Sequence, residues 1–235
     1  MVKRYQSIFF DLDDTLWNTA ANARDSFRET YHLFHLNRFF PSFESFYTIY
    51  QENNERLWAD YAAGRVSTKE ELNERRFSYP LKQVGVDDPE LVNEYSAYFL
   101  SVVPLKEKLI PSAREVLNEL KRRKYRLFIL SNGFRELQDC KMRSANIHSY
   151  FEKVVLSDDI GVLKPNPLLY YFALSATQSE LRTSIMIGDN FNTDITGAYK
   201  VGMDQVFFNP GCKEDLSFKP TYEIKDLKEI LELFP

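Results

Sequence analysis

Hydrophobic positions along this chain fall into two patterns. Five short, nearly continuous apolar runs stand out: Ser7 to Leu12 (SIFFDL), Arg126 to Ser131 (RLFILS), Lys153 to Leu156 (KVVL), Ser184 to Gly188 (SIMIG) and Gln205 to Phe208 (QVFF). Runs of this length and β-rich composition predict strands buried on both faces. Between the later runs the apolar residues recur at helical spacing instead. From Pro111 to Lys124, for example, Val116, Leu117 and Leu120 share one face, and Ser112 with Glu115 has the form of a capping box. The basic run Lys121 to Lys124 closes that helix, where the helix dipole favours cations. Strand, helix, strand repetition predicts an α/β fold with a Rossmann-like parallel sheet at its core.

The interval from Trp17 to Leu105 reads differently. It has no strand pattern, several amphipathic helical stretches and two of the eight glycines. It predicts an all-helical domain over residues 17–105, inserted after the first strand of an α/β core made of residues 1–16 and 106–235. The insertion carries 17 of the aromatic residues and a net charge of −4, from 9 Lys+Arg against 13 Asp+Glu.

Composition narrows the function classes. Among 235 residues, 30 Lys+Arg stand against 34 Asp+Glu, which leaves no excess cation to neutralise a nucleic-acid backbone or an anionic membrane. The two cysteines, Cys140 and Cys212, have neither CxxC spacing nor a histidine cluster beside them, and predict reduced thiols in a cytoplasmic protein. The longest apolar run, Leu168 to Leu174, is far short of the ~18 residues that span a bilayer. The N-terminus meets acidic residues after a short apolar run and predicts no signal peptide.

In open parallel sheets, ligands bind beyond the carboxyl ends of the strands. The polar residues there form a coherent set: Asp11, Asp13 and Asp14 after the first run, Ser131, Asn132 and Gly133 after the second, Lys164 beyond the third, and Asp189 with Asp194 after the fourth. Asp11 and Asp13 would share a face of an extended strand, and two carboxylates that close repel unless a cation joins them. Asp189 would add a third carboxylate. An all-oxygen donor set of this kind suits Mg²⁺ rather than zinc or copper. Asp14 points the other way and reads as a turn acid.

These residues resemble the four motifs of the haloacid dehalogenase (HAD) superfamily of phosphohydrolases: DLDDTL at 11–16, Ser131 in ILSNG, Lys164 in GVLKPNP and GDNFNTD at 188–194. The resemblance covers essentially the whole chain, and the helical insertion matches the family's type of cap over the active site. It implies that Asp11 is the nucleophile, forming an aspartyl-phosphate, and that Mg²⁺ is held by Asp11, the Asp13 backbone carbonyl and Asp189. Asp13 would be acid and base, with a proton retained near neutral pH. Lys164 would offset charge on nucleophile and phosphate. Ser131, Asn132 and Gly133 would bind the phosphoryl oxygens, and Asp194 would support a metal-bound water or Lys164 from behind.

The segments SNGFRELQ (131–138) and SDDIGVLKPNP (157–167) further resemble the YjjG-type nucleotide phosphatases, a branch acting on pyrimidine nucleoside 5′-monophosphates. The implied partner is a small phosphomonoester, a nucleotide, with Trp17, Trp58 or Tyr61 as a stacking surface for the base. Alternatives left open are a sugar-phosphate phosphatase or phosphomutase on the same scaffold, and a phosphate-binding regulatory protein without turnover.

Overall fold

The computed structural model describes residues 5–212 and 216–234. Strands β1 (Ser7–Phe10), β2 (Arg126–Ser131), β3 (Lys153–Leu156), β4 (Ser184–Gly188), β5 (Asp204–Phe208) and β6 (Tyr222–Ile224) form one sheet in the order β3-β2-β1-β4-β5-β6. Every neighbouring pair is parallel. Helices α1 (Thr19–Leu33), α2 (Phe43–Ala62), α3 (Lys69–Gln83) and α4 (Pro89–Val102) follow β1, and α5 (Ala113–Arg122) precedes β2. Helix α6 (Arg135–Ser144) lies between β2 and β3, α7 (Pro167–Thr177) between β3 and β4, α8 (Thr196–Val201) between β4 and β5, and α9 (Ile230–Leu233) after β6.

The residues up to Thr19 together with those from Lys106 onward form one compact unit, and Ala20–Leu105 form another. The change of unit comes slightly later than the sequence predicts. Trp17 bridges both Asp13 and Leu109, and its indole N–H donates to the Lys106 carbonyl at 3.0 Å, which ties it to the α/β unit.

All four residues of β1 are buried, as a central strand covered on both faces requires. On one face Phe9, Phe128, Leu130 and Met186 pack against Leu169, Tyr170 and Ala173 of α7 and Ala198 and Val201 of α8. Each fully buried side chain of this size contributes roughly 1.5–3 kcal/mol. The helical unit has its own core. Phe27 stacks on Phe99 at 3.9 Å between centroids and meets Tyr50 at 4.1 Å, with Phe46 and Phe77 around them. Helices α2, α3 and α4 start on side-chain caps: Ser42, Thr68 and Asp88 accept from the N–H groups of Ser45, Glu71 and Leu91 at 3.0–3.1 Å.

Several local expectations are revised. Strand β1 ends at Phe10, because the Leu12 carbonyl accepts from the N–H groups of Leu16 and Trp17 and closes a turn, with Asp14 in the left-handed region at φ 57°. Strand β6 escaped the sequence reading because it is a three-residue edge with the exposed Glu223 at its centre. The capping box at α5 does not form. Ser112 is left-handed at φ 67° with no side-chain bond to the helix, and Glu115 faces Lys228 at 3.0 Å. The basic run at the end of α5 is occupied internally, since Arg122 and Arg123 both bind Glu119, and Arg123 also donates to the Leu231 carbonyl at 2.7 Å.

If the ring cluster is the core of the helical unit, Phe27→Ala should destabilise it by about 3–5 kcal/mol. Urea unfolding followed by far-UV circular dichroism measures this, and a loss below about 1 kcal/mol would place the core elsewhere.

Candidate active site

The sheet order brings the carboxyl ends of β2, β1 and β4 side by side, and there the chain must leave the sheet three times. Asp11 follows β1 and still donates its N–H to the Ile187 carbonyl of β4 at 2.9 Å, so the backbone of the sheet aims its carboxylate. Ser131 ends β2, and Asp189 follows β4 directly. Asp194 lies on a single turn of π-helix (Phe191–Ile195) that leads into α8. Such turns are frequent at functional sites.

Lys164 joins these pieces. Its ammonium, 2% exposed, donates to Asp11 Oδ1 and Asp194 Oδ1 at 2.6 Å each and to the Leu130 carbonyl at 2.8 Å. All three of its protons are used. Burial alone would lower its pKa, but the two carboxylates outweigh burial and raise it, so the group stays charged. The backbone of Lys164 is clamped as well: its N–H donates to Asn132 Oδ1 at 2.7 Å, and Asn132 Nδ2 donates back to its carbonyl at 3.1 Å. The side-chain amide of Asn132 is therefore committed to placing Lys164.

Asp11, Asp189 and Asp194 each offer a carboxylate oxygen within 4.8 Å of the others. Asp194 is thus a member of the acidic cluster as well as a partner of Lys164. Three carboxylates facing one ammonium leave surplus negative charge. Burial raises the pKa of Asp11 most; Lys164 opposes this, and the neighbouring acids add to the rise. Asp189 is pushed up to about 7 by burial and by Asp194 and Asp14, against a hydrogen bond from Thr15 at 3.1 Å. A divalent cation is the group this donor set fits: hard oxygens, closely spaced, short of positive charge. Gly188 makes the arrangement possible, because a side chain there would occupy the position of the Asp194 carboxylate.

Asp13 is placed apart from this cluster. Its Oδ1 accepts from Lys141 Nζ at 2.6 Å and Thr19 Oγ1 at 3.0 Å, and its Oδ2 accepts from Gln138 Nε2 at 2.7 Å. Burial raises its pKa, but Lys141, aided by the hydrogen bonds of Gln138 and Thr19, more than reverses this and holds it below the usual carboxylate range. This corrects the expectation of a proton retained near neutral pH: Asp13 rests as a carboxylate. Lys141 also lies 4.6 Å from the centroid of the Trp17 ring. Trp17 is fully buried, so it is no stacking surface for a base; Trp58 and Tyr61 keep part of their surface.

Ser131 Oγ accepts from the Gly133 N–H at 3.1 Å and from Gln138 Nε2 at 2.8 Å. With both acceptor positions filled, its own proton remains for an incoming oxygen. Gln138 and Lys141 were not found from the sequence. The signal was there in α6, whose buried positions are Gln138, Lys141 and Met142, two of them polar where an amphipathic helix would carry apolar residues.

The raised carboxyl groups tie stability to pH. Between about pH 4 and about pH 7 the folded, metal-free protein binds a proton at Asp189 that the unfolded chain does not, and the raised Asp11 acts in the same direction, so the stability these groups contribute is present at the lower pH and is lost as pH rises through the folded pKa values. Thermal unfolding in chelator from pH 5 to pH 8 should show a falling Tm, and millimolar divalent cation should restore it at pH 8. A Tm indifferent to the cation would remove it from this cluster.

Residues 5–202 match the haloacid dehalogenase-like hydrolase family. The pyrimidine 5′-nucleotidase YjjG of Escherichia coli is 29% identical over 237 residues, covering 98% of each chain. The glyceraldehyde 3-phosphate phosphatase of Methanothermobacter thermautotrophicus is 28% identical over 236 residues, covering 96% of this chain and 99% of its own. The crystal structure of the HAD-hydrolase YfnB of Bacillus subtilis, bound to magnesium, matches with a TM-score of 0.86 at 25% identity, covering 98% of this chain and 99% of that one. With the family match running from β1 through α8, the chain belongs to the haloacid dehalogenase-like hydrolases.

Proposed function

We propose that this protein is a Mg²⁺-dependent phosphomonoesterase working through an aspartyl-phosphate on Asp11. The observation that carries the reading is the buried Lys164, which pairs with Asp11 at the edge of an acidic cluster while the Ser131 hydroxyl keeps a proton to donate. Asp11, Asp189 and the Asp13 carbonyl would hold Mg²⁺, with Asp194 beside them. Bound there, the ion supplies positive charge that keeps the carboxylates ionised and draws charge from a phosphoryl oxygen.

The rest is done by the chain. Lys164 fixes one oxygen of Asp11 and keeps the carboxylate oriented for attack on phosphorus. Ser131 donates to a phosphoryl oxygen, and the half-buried Asn132 and Gly133 would lie against the same group at this strand end. The ester oxygen departs with a proton from Asp13. In the second step Asp13 takes a proton from the water that attacks the phosphorus of the acyl phosphate, which returns Asp11 as a carboxylate. The resting carboxylate of Asp13 is the form that the second step needs; the first requires it to take up a proton beforehand.

The substrate we propose is a nucleoside 5′-monophosphate, with pyrimidine preferred. Support comes from the segments 131–138 and 157–167 and from similarity to a pyrimidine 5′-nucleotidase. A sugar- or triose-phosphate substrate is the second reading, favoured by comparable identity to a glyceraldehyde 3-phosphate phosphatase. The setting that goes with either is the cytoplasm, supported by the unbridged thiols of Cys140 and Cys212. Among the described residues no helix is long and apolar enough to cross a membrane.

Phosphate release from an aryl phosphate, with and without EDTA, tests the enzyme class. Asp11→Asn should lower turnover at least about 10³-fold, with Tm measured alongside because the change also takes a charged partner from the buried Lys164. Retention of more than a few percent of activity would move the nucleophile elsewhere. A mutase would return the phosphoryl group to a second substrate instead of releasing it in proportion to ester consumed.

In a screen across nucleotides, sugar phosphates and phosphorylated acids, pyrimidine nucleoside monophosphates should give the highest kcat/KM. A triose or hexose phosphate exceeding every nucleotide by tenfold would overturn the nucleotide reading and leave the phosphatase one standing.

A further inference from the structure

The helix that follows Ser131 carries a pair of polar residues that the proposed chemistry does not use. Gln138 and Lys141 lie one turn apart on α6, 0% and 9% exposed, and both reach Asp13. Gln138 does more than touch it. One amide nitrogen donates to Asp13 Oδ2 at 2.7 Å and to Ser131 Oγ at 2.8 Å, so a single group spans the carboxylate after β1 and the hydroxyl that ends β2. Its carbonyl oxygen, Oε1, is buried without a hydrogen-bond partner among the described residues. An amide free to choose would not leave its acceptor unpaired, and buried unsatisfied groups are costly and uncommon. Turning the amide over would set Oε1 against the Asp13 carboxylate, so the arrangement is the one that serves Asp13 and Ser131 at the expense of Gln138. Gly133 is shaped for it, because a Cβ at that position would overlap the Gln138 side chain.

Lys141 completes the cradle from the other side. Its ammonium is held between the Asp13 carboxylate and the face of Trp17, whose own N–H is anchored on the Lys106 carbonyl. Asp13 sits on a turn rather than in the sheet, so nothing in the backbone ladder beyond the bridge to Trp17 fixes its side chain. Three donors from two parts of the chain do so instead, Gln138 and Lys141 on α6 and Thr19 at the start of α1.

We infer that Gln138 and Lys141 are positioning residues that hold the Asp13 carboxylate in register with Ser131, so that proton transfer and phosphoryl binding act on the same ester. The inference rests on the reading of Asp13 as the acid and base of a phosphatase. Misplacement of a catalytic group by about 1 Å can cost about a hundredfold in rate, which is the scale to look for.

The test is the steady-state kinetics of Gln138→Met and Lys141→Met, with an alkyl phosphate as substrate and Mg²⁺ present, together with their Tm values. The expected result for Gln138→Met is a kcat about 10- to 100-fold lower at a KM within about twofold, with no fall in Tm because the orphaned carbonyl is gone. In an Asp13→Ala background the same substitution should cost nothing further, since a residue that acts only through Asp13 loses its effect when Asp13 is absent. Lys141→Met is read in the same way and replaces Gln138→Met if that variant does not fold. Wild-type kcat in both variants, a raised KM at unchanged kcat, or an undiminished loss in the Asp13→Ala background would each overturn the positioning role and leave the phosphatase reading intact. A wild-type protein that releases phosphate from no ester would overturn both.

Discussion

A buried lysine ammonium held by two buried carboxylates is the constraint on which this structure turns. Lys164 has no water to fall back on, so each of its three protons must find an oxygen inside the protein. Asp11 and Asp194 supply two and Leu130 the third, and each is placed by something else: Asp11 by its bond into β4, Asp194 by the Asn190 N–H at 3.1 Å, Leu130 by β2 itself. Tyr170 extends the same logic into the core, its hydroxyl lying 3.0 Å from the carbonyls of Thr193 and Asp194. Breaking a buried pair of this kind by removing one partner costs about 3–5 kcal/mol, so the centre of the site is also a determinant of the fold.

Two acids from one turn are driven in opposite directions by their surroundings. Asp11 is buried beside two other carboxylates, and its pKa rises; Asp13 accepts from a lysine, an amide and a hydroxyl, and its pKa falls. The surplus negative charge around Asp11, Asp189 and Asp194 also couples the site to a cation, because carboxylates that repel one another are stabilised together only when positive charge joins them. Lys164 provides part of that charge from within the chain.

The abundance of aromatic residues in the helical unit has a plain cause. Phe27, Phe46, Tyr50, Phe77 and Phe99 form its interior, and a small unit with its own core needs such large side chains to bury enough apolar surface. Arg76 is held within the same cluster by Tyr50, Asn54 and Asn73, all neutral partners. Trp17, which sequence pattern groups with these rings, belongs to the α/β unit and supports Lys141 there.

Sequence alone determined the parts of this protein that depend on local pattern. Continuous apolar runs must be buried on both faces, which identifies β1 to β5, and residues at strand ends must leave the sheet on one edge, which groups Asp11, Ser131, Lys164, Asp189 and Asp194. Short or exposed elements carry no such pattern, so β6 and the left-handed start of α5 at Ser112 were not legible. What only tertiary structure decided is which polar group meets which. The charge state of Asp13 depends on Lys141, 128 positions away in the chain, and the choice between one side chain and another as its partner is made by the packing of α6 against the ends of β1 and β2. Hydrogen bonds and ion pairs act over a few ångströms, and no spacing in the sequence encodes a distance that small between residues so far apart.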